Sequence, residues 1–149
     1  MQLPQRVLVG ALVVPALLAA VALAAHPAPA GHLVVAVRSS EIVLAGTAGS
    51  AAERQEVVDA VRALSAGHRV TDVITPAAGE RLPITPDVAA ALLGAVLDRD
   101  VADFTGVVRE GHLTATARVA DAGRAGSLSD ALRLAAPGLR VDEDFTTTG

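Results

Sequence analysis

The sequence predicts an α+β protein in which an apolar N-terminal helix precedes two tandem copies of one unit. Their strands form a mixed six-stranded sheet with three helices on one face. Three observations carry this. Residues 7–25 read VLVGALVVPALLAAVALAA, nineteen positions without a charge. Residues 37–75 align without a gap onto 108–146, an offset of 71 positions. Within each copy the apolar spacing runs hairpin, helix, strand.

As a helix, the first run would rise about 28 Å, close to the roughly 30 Å hydrocarbon core of a bilayer. Pro15 removes one internal donor and would kink it, which membrane helices tolerate. Two fates are open. A signal peptide would be cut after Ala22-Leu23-Ala24 or Ala28-Pro29-Ala30, and an anchor would stay whole. Arg6 is the only charged side chain before the run, whereas eleven of the twelve arginines and all sixteen acids follow it. A short positive end stays inside, so residues 1–6 are expected in the cytoplasm and the body outside a cell membrane crossed once. His26-Pro27-Ala28-Pro29-Ala30-Gly31 then reads as a stiff linker.

The first unit occupies 32–77. Residues 33–38 and 41–47 are β-rich runs separated by Ser39-Ser40, the length of a tight hairpin turn. Ser50-Ala51-Ala52-Glu53 is a capping box that opens a helix. Val57, Ala60, Val61 and Leu64 fall on one face of that helix, and Gly67 is placed for a left-handed cap. Residues 69–75 form a strand with Val70 and Val73 apolar.

The second unit, with its preceding helix, occupies 78–149. Thr85-Pro86-Asp87 is an N-cap followed by proline, opening a helix over 86–98. Strands 103–109 and 112–119 flank the hairpin dipeptide Glu110-Gly111. Leu128, Ala131, Leu132 and Ala135 give the helix face, Gly138 the cap, and 139–145 the last strand. The identities that define the repeat include Arg38/Arg109, Asp59/Asp130, Arg62/Arg133, Gly67/Gly138 and Arg69/Arg140. Alanine-rich composition does not generate matches of that kind.

The unit EIVLAGTA, SAAERQEVVDAVRALSAG, HRVTDVIT resembles the BON domain, a small extracytoplasmic module of bacterial envelopes. Gly46 closing the second strand and the ending Val70-Thr71-Asp72-Val73-Ile74 carry the resemblance. An apolar run followed by two such units is similar to the N-terminal part of the mycobacterial OmpA-like pore proteins. The resemblance implies an uncleaved anchor and an oligomeric pore or channel component as one function. That family's OmpA-like domain does not follow in these 149 residues, so peptidoglycan binding is not expected. The second copy departs from the pattern, with Ala117 in place of the glycine and an ending Val141-Asp142-Glu143-Asp144-Phe145.

Composition excludes several classes. The chain is 52% apolar and 19% charged, with mean hydropathy +0.48. Its only aromatics are Phe104 and Phe145, too few for base-stacking or sugar platforms. A net charge of −4 argues against a nucleic-acid partner. The absence of cysteine excludes a thiolate site or a disulfide framework. His26, His32, His68 and His112 lack metal-site spacing and read as exposed, unliganded side chains. Gly46-Thr47-Ala48-Gly49-Ser50 has the place of an anion loop but no lysine, and reads as a turn with an N-cap. Asp98-Arg99-Asp100 and Asp142-Glu143-Asp144 lack calcium-loop spacing and read as solvated charge. No catalytic, cofactor or metal site is expected, and no enzyme. Six strands of about seven residues fall short of a single-chain membrane barrel, which needs at least about eight longer ones. The expected function is binding of membrane lipid or an envelope protein through sheet edges or the helix-free sheet face.

Overall fold

The computed structural model describes residues 31–148 apart from 66, 100 and 102. The expected membrane helix and the linker up to Ala30, His26 included, lie outside the described residues. Among the described residues, no helix is long and apolar enough to cross a membrane.

The elements are β1 (His32–Arg38), β2 (Glu41–Ala48), α1 (Ala51–Leu64), β3 (Arg69–Pro76), α2 (Pro86–Leu97), β4 (Asp103–Arg109), β5 (His112–Val119), α3 (Ala122–Ala135) and β6 (Arg140–Thr147). Every element of the first unit maps onto one of the second at the same offset of 71, bounds included. The duplication therefore extends beyond 37–75. Helix α2 has no counterpart and joins the two copies.

The strands form one sheet in the order β3-β2-β1-β4-β5-β6. Hairpins β1–β2 and β4–β5 are antiparallel, β3 and β6 add parallel to β2 and β5, and β1 pairs antiparallel with β4. In that central pair Val35 faces Gly106. These two are themselves repeat equivalents, so the local two-fold axis passes between them. Both hairpins turn through a non-glycine residue in the left-handed region, Ser39 at φ 49° and Glu110 at φ 51°.

The core lies between one sheet face and the three helices. Leu33, Val35 and Val37 of β1, Leu44 of β2, Phe104 of β4 and Leu113 of β5 point into it. Val57, Val58 and Val61 of α1, Leu92, Leu93 and Val96 of α2, and Leu128 and Leu132 of α3 meet them there. Gly106 leaves room for the one large buried ring, since a Cβ there would stand 3.0 Å from Phe104 Cε2 and Cζ. Gly46 has a different reason. A Cβ there would meet the His32 carbonyl oxygen at 2.5 Å, so glycine lets β1 and β2 approach.

Each edge strand is tied to its helix by an acid on the core side. Arg54 of α1 holds Asp72 of β3 (Nη2–Oδ2 2.7 Å). The other Asp72 oxygen accepts the Ile74 N–H at 2.9 Å. In the second copy Arg133 of α3 holds Glu143 of β6 at 2.7 Å, and Ser129 donates to the same carboxylate at 2.7 Å. Asp72 and Glu143 are repeat equivalents, while the arginines come from opposite ends of their helices. One expectation fails here. Gly67 is left-handed at φ 79°, but Gly138 is not among the left-handed glycines. The α3 turn closes by the Leu139 N–H donating to Ala136 O at 3.0 Å. With Pro137 at its first central position, such a turn suits a type I geometry that needs no left-handed residue.

Candidate functional site

The polar candidates separate once they are placed. His32 starts β1 and is 3% exposed, which corrects its expected exposure: as first residue of a central strand it sits between β2 and β4. His68 is half-buried before β3. His112 is exposed, with Nδ1 3.2 Å from Glu110 O. These rings stand on different elements. Among the described residues, no group of three His, Asp or Glu is placed to hold a metal ion.

The loop from Gly46 to Ser50 carries its own anion. Gly49 N–H donates to Glu53 Oε1 at 3.0 Å, and Leu82 N–H donates to the same oxygen at 2.9 Å. Ser50 Oγ accepts from Glu53 N at 3.1 Å. The donors that would cradle a phosphate are thus engaged by a carboxylate of the chain. The acids of β6 alternate across the sheet, Glu143 toward α3 and Asp142 and Asp144 to solvent, so they do not converge on one cation.

A cleft of about 210 Å³ at the far end of β5 is lined by Arg99, Arg118 and Arg124 with Val101 and Val119. Its guanidinium groups are engaged within the protein. Arg99 donates to Ala95 O at 3.1 Å and Ser127 Oγ at 3.0 Å. Arg124 donates to Arg99 O at 3.4 Å, and Arg118 lies 3.8 Å from Asp103.

Two apolar surfaces remain. On the outer side of the helical layer, Leu134 is 82% exposed. With Leu64, Ala90, Ala91, Gly94 and Ala131 it lines a shallow open groove.

The second surface is the helix-free face of the sheet. One row of side chains crosses all six strands as Val73, Ala45, Val34, Val107, Thr114 and Asp142. The adjacent row runs Thr71, Val43, Ala36, Thr105, Thr116 and Asp144. The face is therefore apolar from β3 to β4 in the first row and across β2 and β1 in the second, and polar on β5 and β6. Composition alone did not reveal this. The signal lay in comparing the copies, because Ile42–Ala48 is apolar at nearly every position where the second copy alternates as Leu-Thr-Ala-Thr-Ala-Arg-Val. Neither a protein-family model nor a curated protein sequence matches this chain.

Proposed function

We propose that this chain is a single-pass, membrane-anchored protein of the bacterial cell envelope, with two BON-like units outside the membrane. It acts by binding protein or lipid surfaces and not by turnover. The observation that carries this reading is the charge distribution around residues 7–25. The one charged side chain before the uncharged run is Arg6, and every acid in the chain lies after it, the arrangement that retains the short end inside.

The residues behind the BON resemblance support a scaffold. Gly46 permits close strand approach and Asp72 ties an edge strand to a helix, so neither is held free for chemistry. The groove beside Leu134 offers apolar area to a partner. Membrane lipid is the first partner, through the run itself, and an envelope protein or a second copy of the chain the next.

Flotation of the full chain with phospholipid vesicles tests the reading. The chain is expected to float and to resist extraction by salt, because the run and not surface charge holds it. Leu17→Arg with Leu18→Arg near the centre of the run should abolish flotation, each charge costing roughly 2.5–3.5 kcal/mol at the helix centre. Flotation unchanged by both arginines would refute the anchor. Ion conductance by the full chain across planar bilayers would replace surface binding with a pore assembled from several copies.

A further inference from the structure

The two copies share a fold but differ in what their helix-free faces meet. Strand β5 alternates without exception, exposed then buried, from His112 to Val119. That is the pattern of a strand with one face in water. Its equivalent β2 is buried at every position from Ile42 to Ala48. The same holds for β1 from His32 to Val37. A strand buried along its whole length has both faces covered. The helices cover one face only, since their buried side chains cluster with Leu33, Val35 and Val37. On the other face Val34 is 4%, Val43 2% and Ala45 0% exposed. Among the described residues the apolar side chains packed with Val34 and Ala45 are Val73 and Val107, both from the sheet itself.

The repeat shows that this polarity is not a requirement of the fold. At the equivalent positions Val34 becomes Thr105, Val43 becomes Thr114, Ala45 becomes Thr116 and Val73 becomes Asp144. Thr114, Thr116 and Asp144 are exposed. One copy presents to water what the other keeps from it.

We propose that the apolar half of the helix-free face is a docking surface for the chain's own apolar run, residues 7–25, when that run is outside a bilayer. The dimensions agree. At roughly 4.8 Å per strand the apolar row from Val73 to Val107 is about 14 Å long, and the shorter pair Val43 and Ala36 lies about 7 Å from it. A helix about 10 Å wide covers such a patch along part of its length. The tether agrees as well. Residues 26–31 reach at most about 20 Å when extended, and they join β1 two residues before Val34. The run is thereby held near the patch at a local concentration on the order of millimolar, which favours it over a second copy. It is also uncharged throughout, matching the apolar side chains Val34, Ala36, Val43 and Ala45, while the nearest charges, Arg38 and Glu41, stand at the rim of the patch and are engaged by Thr105 and Thr71. The inference extends the anchor reading, because insertion of the run into a bilayer would uncover this face for a partner. It does not depend on that reading.

The chain has no cysteine, so thiols can be placed at will. Ala36→Cys on the patch is combined in turn with Ala16→Cys, Ala19→Cys and Ala20→Cys in the full chain without lipid. A short bis-maleimide is added and the products are weighed. Asp59→Cys, on the exposed side of α1, replaces Ala36→Cys in the control series. The expected result is an intramolecular crosslink in at least one patch pair and none in the control pairs. Among the single variants, the thiol of Ala36→Cys should be labelled at least about tenfold more slowly than that of Asp59→Cys. Crosslinked dimers from the patch pairs would assign the face to a second copy and overturn the proposal. So would equally fast labelling of the two single variants. Adding vesicles separates the two readings. A crosslink that forms without lipid and disappears with vesicles supports docking with release into the bilayer. A crosslink that persists supports docking and counts against the anchor.

Discussion

Val61 and Leu132 occupy one position in two copies, and both are fully buried between their helices and the sheet. Truncating Val61 to alanine removes two carbons, about 1.6 kcal/mol at roughly 0.8 kcal/mol per buried methylene. Truncating Leu132 removes three, about 2.4 kcal/mol on the same scale. A residual cavity adds to each, so the expected losses are about 2 and about 3 kcal/mol. The neighbouring arginines supply the contrast. Arg62 is exposed, and its replacement by alanine should cost about 0.5 kcal/mol or less. Arg133 has the same helical phase but holds Ser129 and Glu143. Its side chain is 57% exposed, which limits the loss to about 0.5–1 kcal/mol. With no tryptophan or tyrosine in the chain, urea unfolding is best followed by far-UV circular dichroism. Midpoints should shift in the order Leu132, Val61, Arg133, Arg62 with the slope unchanged. Equal losses at all four positions would refute the helix phase and with it the equivalence of the copies.

Other substitutions probe separate parts of the account. Asp72→Asn should cost about 1–3 kcal/mol in the same assay, because Asp72 is only 10% exposed on its side chain and Arg54 would lose its charge partner. Gly46→Ala should destabilise by about 1–3 kcal/mol, since the added methyl meets the His32 carbonyl and the backbone must move. Glu110→Asn should stabilise by about 0.5–1 kcal/mol, because asparagine tolerates the left-handed conformation at this turn better than glutamate does.

Much of this fold was legible because the chain states it twice. Arg62 and Arg133, or Asp59 and Asp130, set the offset, and the caps at Ser50 and Thr85 placed two helix starts. Asp121, the N-cap of α3, carries the same kind of signal. The pairing of β1 with β4 was not legible, since nothing local in Leu33 or Val108 specifies a partner 75 residues away. Gly138 misled because a Gly after an apolar helix face suggests a left-handed cap, whereas Pro137 before it favours another turn. The acids of β6 read as one charged cluster in one dimension. Strand alternation separates them, sending Glu143 to Arg133 and leaving Asp142 and Asp144 in solvent. The burial of His32 follows from strand order, which no single-residue property encodes.

The central claim is that residues 7–25 remain part of the working protein and hold its acidic body at a membrane. The intact mass of the protein extracted from membranes tests this most directly. The account predicts a chain of about 15.0 kDa that begins at its original N-terminus and partitions with lipid. A mature chain beginning at Ala25 or Gly31 and recovered free of membrane would contradict it, and would make the apolar run a discarded export signal.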